Sequence, residues 1–446
     1  MSEDLDYKLD GMGEELPSTE KDSNKKTIII IIILGTLLLC ALTAIIILSI
    51  KLKDKDSDDD DNQKKYDDNK KKNDEELITY INVTYFNDKN EIENTFKDGG
   101  KHYDVSFGNV NQGKDYSKSD LNSYNLYIPK SAMNKKDKYN KIILWLHPGA
   151  WIGLNKEMLI PICESFSKSF GYISATVGYT KLLEKSTEHK SIFRIIDEIT
   201  ASINHMKNKL KNEGFDDNKL ELVIGGMSAG GHLSLLYGYF MKESSIPIKF
   251  LINIVGPATP QPDYYLENKI FNDTLENLEP ATVKEAKSKE KLKQVKNDII
   301  NPVNMTKIMN YFLGRKYSDE EMEELFDGDN VKTDEPRYKE LSELVNLAGS
   351  PLTYIKIDSP PTINYYGGND ADVGVEQYSL LKTKYYEVGY NKDVIIYARY
   401  NDHPNILDYS TENGKEAFND FFHTYLPLFE KKYLHNENWE YNLFLY

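Results

Sequence analysis

One serine in this sequence stands where a nucleophile would be built. The run Leu220-Glu-Leu-Val-Ile224 is apolar and strand-like, Gly226-Met227-Ser228-Ala229-Gly230 follows, and His232, Leu233, Leu235 and Leu236 continue at helical spacing. Glycine two before and two after a serine suits a tight strand-to-helix turn, because a Cβ at either place would strike neighbouring backbone. The serine then projects at a helix N-terminus, where the dipole favours developing negative charge. A phosphate-binding turn fits less well: no Gly-x-Gly-x-x-Gly is present and no Lys follows as in a P-loop.

A serine hydroxyl needs a base, and the base needs an acid to orient it. In strand-turn-helix sites of this kind the acid and then the histidine follow the serine along the chain. Of eight histidines, His232, His403, His423 and His435 come after Ser228. His232 lies on the helix that begins at the serine, His423 in an amphipathic helix predicted over Ala417–Phe429, and His435 in the tail. His403 sits in the loop Tyr400-Asn401-Asp402-His403-Pro404 after the last predicted strand, where the base belongs. Asp370 and Asp372 share the loop after Thr362–Tyr366, and Asp402 adjoins His403, so three carboxylates are candidates for the acid.

The elements that must hold these residues are legible as short apolar runs. Strands are predicted over Tyr103–Phe107, Tyr124–Ile128, Ile142–Leu146, Tyr172–Val177, Leu220–Ile224, Phe250–Val255, Thr362–Tyr366 and Val394–Ala398. Several are continuously apolar, as strands buried on both faces are. Phe193–Leu210 places Ile195, Ile196, Ile199, Ile203 and Met206 on one helical face. The alternation predicts an α/β fold with a mostly parallel sheet flanked by helices. Residues 257–350 interrupt it: they hold no convincing core strand, and Glu279–Lys296 and Ser318–Phe326 are charged and helix-prone. A helical, lid-like insertion is the expectation.

Lys141 to Trp151, KIILWLHPGAW, resembles the oxyanion loop of lipases and esterases, with Pro148 and Ala150 departing from its glycines. Gly-Met-Ser-Ala-Gly-Gly-His, Ser350-Pro351-Leu352-Thr353 and Pro360-Pro361 narrow the likeness, as does Val177-Gly178-Tyr179, where Thr180 replaces the usual Arg. Over roughly residues 100 to 430 the chain resembles the esterase/lipase branch of the α/β-hydrolase superfamily, of the acetyl xylan and feruloyl carboxylesterase type. The resemblance implies backbone donors at Gly149, Ala150 and Ala229. It also implies Asp370 as the acid, by its register against Val375-Glu376-Gln377, with Tyr366 in place of a common His. The implied catalytic residues are then Ser228, Asp370 and His403, acting on a small-molecule or carbohydrate-linked ester without cofactor or metal. His147 reads as structural, and Trp151 as either an acyl-pocket wall or core. An arylformamidase-like amide hydrolase and a catalytically inactive, membrane-tethered adhesion or binding domain are the competing expectations.

The chain has 446 residues and a formal net charge of −16, a balance that argues against broad nucleic-acid binding. Two cysteines, Cys40 and Cys163, supply neither a disulfide framework nor a CxxC metal pattern. Residues 1–26 are a polar tail without apolar periodicity. Thr27–Ile50 is uncharged and apolar, long enough to span a bilayer core of about 30 Å. Residues 51–76 alternate Lys and Asp blocks and read as a flexible stalk ahead of a 77–446 domain. The expectation is a single-pass signal anchor with the domain on the extracytoplasmic side, where the sequons at Asn82, Asn272 and Asn304 would be compatible with glycosylation.

Overall fold

The computed structural model describes residues 95–96, 100–107, 123–182, 190–241, 243–261, 302–328, 330–368, 370, 373–398 and 420–435. Among these, eight strands form one sheet: β1 (Lys101–Ser106), β2 (Ser123–Tyr127), β3 (Asn140–Leu146), β4 (Ile173–Val177), β5 (Leu220–Met227), β6 (Ile248–Ile254), β7 (Thr362–Gly367) and β8 (Asp393–Ala398). Their spatial order is β1-β2-β4-β3-β5-β6-β7-β8. β2 runs antiparallel to both β1 and β4, and every other pair is parallel.

The continuous apolar runs are explained by cover on both faces. Successive residues of β3 point opposite ways: Ile142, Leu144 and Leu146 enter one core cluster, Ile143 and Trp145 the other. The first cluster takes the apolar stripe of α2 (Ile192–Asn212) and Leu233 and Leu236 of α3 (Ala229–Phe240). The second takes Cys163 and Phe166 of α1 (Ile160–Phe170) and Leu426 and Phe429 of the last helix. Ser191 caps α2 by accepting from the Arg194 N–H at 3.2 Å, and Gly171, at φ +68°, ends α1.

All eight predicted strands are present, with ends shifted by one to three residues. The insertion differs in character from the expectation. α4 (Pro302–Phe312) and α5 (Pro336–Gly349) carry Met305, Ile308, Met309, Phe312, Leu341 and Val345 into the same core cluster as α2 and α3. Its two-residue pair Phe326–Asp327 with Asn330–Val331 is separate from the main sheet. Residues 1–94 lie outside the described residues, as do Glu279–Lys296 and the sequons at Asn82 and Asn272. Among the described residues, no helix is long and apolar enough to cross a membrane. Cys163 is a buried free thiol.

The last helix, α7 after an intervening α6 (Val375–Glu387), runs Leu426–Tyr433, past the predicted end at Phe429. His435 is not a loose tail residue: its N–H donates to Glu221 at 2.8 Å, its Nδ1 pairs with the same carboxylate, and its ring stacks on Tyr139. α7 is also tied to β3 by a buried ion pair, Lys141 Nζ to Glu430 Oε1 at 2.9 Å, with the two side chains 6% and 4% exposed. Replacing Glu430 with Gln leaves a buried ammonium without its counter-charge and should cost about 3–5 kcal/mol in urea unfolding. Lys141→Met with Glu430→Leu should recover most of that loss, and a double variant no more stable than Glu430→Gln would contradict the account.

Candidate active site

β5 ends at Met227 and α3 begins at Ala229, so Ser228 alone makes the turn, at φ +54° and ψ −122°. From Leu220 to Tyr239 every residue is buried except Ser228. A non-glycine residue held at such angles costs about 1–3 kcal/mol and persists only where its surroundings fix it. Here the Ser228 N–H donates to the Ile254 carbonyl at 2.9 Å, and the Ser228 carbonyl accepts from the His232 N–H at 3.0 Å. The flanking glycines are sterically required. A Cβ at residue 226 would lie 2.1 Å from the Gly230 carbonyl oxygen, and one at residue 230 would lie 1.9 Å from that of Leu146.

That second contact places the end of β3 against the turn. Three successive residues beyond it have positive φ: Gly149 at +121°, Ala150 at +48° and Trp151 at +61°. The Gly149 carbonyl closes the loop by accepting from Ile152 N–H at 2.9 Å and Gly153 N–H at 2.8 Å. Among the described residues, the N–H groups of Gly149, Ala150 and Ala229 donate to no protein acceptor. They are therefore available to a ligand beside Ser228.

Two imidazoles lie under this region, and both are buried and neutral. His147 Nδ1 donates to the Pro148 carbonyl at 2.8 Å, its ring stacks on Tyr179 at 3.9 Å, and Tyr179 Oη donates to its carbonyl at 2.7 Å. Burial pushes its pKa down to about 3. His232 Nε2 contacts the Gly349 carbonyl at 2.8 Å, and burial pushes its pKa down to about 4. Trp151 is 2% exposed, so it belongs to the core and does not line an open pocket. Its indole N–H donates to His232 Nδ1 at 3.3 Å.

Asp370 lies just past the end of β7, wholly buried, with Oδ1 accepting from the Val373 N–H at 2.8 Å. Ser228, the 149–151 loop and Asp370 thus all follow the carboxyl ends of parallel strands β5, β3 and β7. Asp372, Asp402 and His403 lie outside the described residues, and the side chain of His423 does too.

The structure adds supporting residues that the sequence reading did not single out. Asn253 of β6 accepts from the Gly256 N–H at 2.8 Å and donates to Asn364 Oδ1 and Tyr366 Oη, each at 3.0 Å. Tyr366 Oη donates to the Gly256 carbonyl at 2.7 Å. Gln377 Oε1 accepts from the N–H groups of Ala258 and Thr259, at 2.8 and 2.9 Å. These bonds lash the loop after β6 to β7 and α6, and so to the approach to Asp370. Their signal in the sequence is an amide inside each of two apolar strands, LINIV and TINYY. Thr180, which stands where the resemblance expected Arg, gives its N–H to the buried Glu198 at 2.7 Å, and Arg194 Nε donates to the same carboxylate at 2.9 Å.

The buried imidazoles make stability depend on pH. Each has a folded pKa below the ordinary 6.5, so the unfolded chain binds more protons in the window from about pH 4 to 6.5. Their contribution is complete above 6.5 and is lost as pH falls, by up to about 1.4 kcal/mol per ring per pH unit. Between pH 7 and 5.5 the His147→Phe variant, which keeps the stack on Tyr179, should lose about 1–2 kcal/mol less than the parent in urea unfolding. Parallel pH profiles for the two proteins would show that His147 is not buried as a neutral ring.

The BD-FAE family model matches residues 125–385, more than half of the chain and all of its elements from β2 to α6. Comparison with curated proteins gives no match. Among solved structures the chain is similar to a truncated carbohydrate esterase from gut microbiota, at 16% identity and TM-score 0.44 over 74% of this chain and 98% of that one. Esterase B from Lactobacillus rhamnosis, solved with an inhibitor, is similar at 15% identity and TM-score 0.46 over 75% and 88%. Est2 from Thermogutta terrifontis, with butyrate bound, is similar at 17% identity and TM-score 0.43 over 74% and 94%. On the extent of the family match, this chain belongs to the BD-FAE family, an α/β-hydrolase esterase family.

Proposed function

We propose that this chain is a serine carboxylesterase in which Ser228 is the nucleophile, His403 the general base and Asp370 the residue that orients it. Ser228 Oγ attacks the ester carbonyl while His403 takes its proton. The N–H groups of Gly149, Ala150 and Ala229 hold the oxyanion that forms. As the carbon–oxygen bond breaks, His403 returns the proton to the departing alcohol. Water, deprotonated in turn by His403, attacks the acyl-enzyme and releases the acid, and Ser228 recovers its proton.

The observation that carries this reading is the one partly exposed residue in a buried strand-turn-helix. Ser228 is held at positive φ beside a loop whose N–H groups find no partner among the described residues. The buried, hydrogen-bonded Asp370 supports its part as an acceptor that stays fixed while charge builds on an imidazole. The substrate we propose is a small-molecule ester of short acyl chain, or an ester carried on a carbohydrate. Thr27–Ile50 would tether the enzyme to a membrane, with the hydrolase domain on the extracytoplasmic side.

Full-length protein in detergent should hydrolyse p-nitrophenyl acetate and react covalently with a fluorophosphonate. Ser228→Ala should lower kcat by about four to six orders of magnitude and abolish labelling. A well-folded parent that neither turns over short esters nor takes the label would end the esterase reading. Deleting residues 27–50 should shift the protein from the membrane fraction to the soluble one with activity retained. A protein still membrane-bound after that deletion would rule out the proposed anchor.

A further inference from the structure

The loop that carries Gly149 and Ala150 is conformationally expensive. Ala150 and Trp151 both stand at positive φ without being glycine, each at a cost of about 1–2 kcal/mol. The turn bonds to the Gly149 carbonyl close the loop on itself but do not fix where it sits relative to Ser228. That task falls to the side chain of Trp151, which is buried between two rings from different elements. Its centroid is 5.1 Å from that of His232 on α3 and 5.5 Å from that of Phe312 on α4, and both contacts are edge-on. The two partner rings meet each other at 5.7 Å, closing a triangle.

His232 has a definite protonation state within that triangle. The Gly349 carbonyl accepts only, so the 2.8 Å contact requires the proton on Nε2. In a neutral ring this leaves Nδ1 as an acceptor, which is what the indole N–H of Trp151 meets at 3.3 Å. A Lys or Arg could not accept this bond, and an aliphatic residue would leave a buried indole N–H unsatisfied. His232 is also joined to the turn through the backbone, since its N–H donates to the Ser228 carbonyl at 3.0 Å. A continuous path therefore runs from the last residue of α5, through the imidazole and the indole, to the loop beside the serine.

We propose that His232 is a positioning residue, holding the Gly149 and Ala150 N–H donors in place relative to Ser228 by accepting the Trp151 indole N–H, with its tautomer set by the Gly349 carbonyl. The inference rests on the esterase reading. It assigns the insertion a part in the chemistry: α4 supplies the ring that walls in the indole, and α5 supplies the carbonyl that keeps the proton off Nδ1. His232 touches no reacting atom, and its effect passes entirely through Trp151.

The test is a cycle on the full-length enzyme with p-nitrophenyl acetate. Trp151→Phe removes the indole N–H while keeping an aromatic ring, and His232→Leu removes the acceptor. Each should lower kcat by roughly 10- to 100-fold with KM within about two-fold, because misplaced oxyanion donors weaken binding of the transition state and not of the substrate. His232→Asn puts an amide oxygen near the position of Nδ1 and should recover most of the loss. In the Trp151→Phe background, Asn and Leu at 232 should give equal kcat, since no indole N–H remains to be accepted.

Packing alone would give a different pattern, with kcat following thermal stability and Asn no better than Leu. That pattern would overturn the proposal, as would parental kcat in Trp151→Phe, which decides the matter even if His232→Leu does not fold. A parent whose Ser228-dependent turnover is untouched by these changes overturns the positioning role alone. A parent with no Ser228-dependent turnover overturns the esterase reading and this inference with it.

Discussion

A methyl group on residue 230 would sit 1.9 Å from the carbonyl oxygen of Leu146 and 2.8 Å from that of His147. No side chain can occupy that space, so the first turn of α3 lies directly on the end of β3. The geometry of the site follows from this approach. It sets the spacing between the turn that bears Ser228 and the loop that bears Gly149 and Ala150. It also forces Ser228 into positive φ, because a single residue must carry the chain from β5 into a helix pressed against the neighbouring strand. The Ile254 carbonyl on the other side completes the grip. A turn held on both flanks does not relax when a ligand binds, and such preorganisation is what a site that stabilises developing charge requires.

The same layer is stiffened by polar groups that a core would otherwise exclude. Asn253, Asn364 and Tyr366 join β6 and β7 side by side, and Tyr385 and Tyr239 extend the chain to Thr362 at the start of β7. Each member is buried and partnered, so the desolvation cost is offset by bonds that are directional where apolar contacts are not. Direction is what matters here, because the loops leaving β6 and β7 carry the approach to Asp370. The buried ion pairs, Lys141 with Glu430 and Arg194 with Glu198, lie elsewhere and fasten helices to the sheet. Neither touches Ser228 or the 149–151 loop, so the charges that anchor the fold are kept apart from the place where charge would develop.

How much of this could be read in advance depends on how local the signal is. The strands were legible because β3, β5, β6 and β7 are buried on both faces and so must be apolar at successive positions, a pattern with few imitators. Ser228 was legible because the turn demands glycine at two fixed offsets. The helices of the insertion were not. Met305, Ile308, Met309 and Phe312 recur at helical spacing, but Asn, Thr and Lys stand between them, and nothing local says that this stripe faces the main core. Trp151 was open between core and pocket for the same reason, since the ring that fixes it is 81 residues away in sequence. Thr180 shows the limit of reasoning from likeness: the expected Arg is absent, yet a buried Arg194–Glu198 pair reaches the same backbone from α2.

A histidine is a costly way to bridge a carbonyl and an indole, since burial without its proton makes the fold sensitive to acid. Its advantage is that one rigid ring offers a donor and an acceptor at fixed separation and angle. An amide side chain has both functions, but both sit at one end of a flexible stem. In the ring, committing Nε2–H to Gly349 commits Nδ1 to accept, so the two bonds cannot be made independently. The result is a link that transmits position: displacement of the Gly349 carbonyl turns the ring, and the turning ring moves the indole. Because Trp151 follows Ala150 directly and already sits at positive φ, its backbone cannot absorb that motion cheaply. An insertion between β6 and β7 is thereby placed in mechanical register with a loop after β3, across two intervening strands of the sheet.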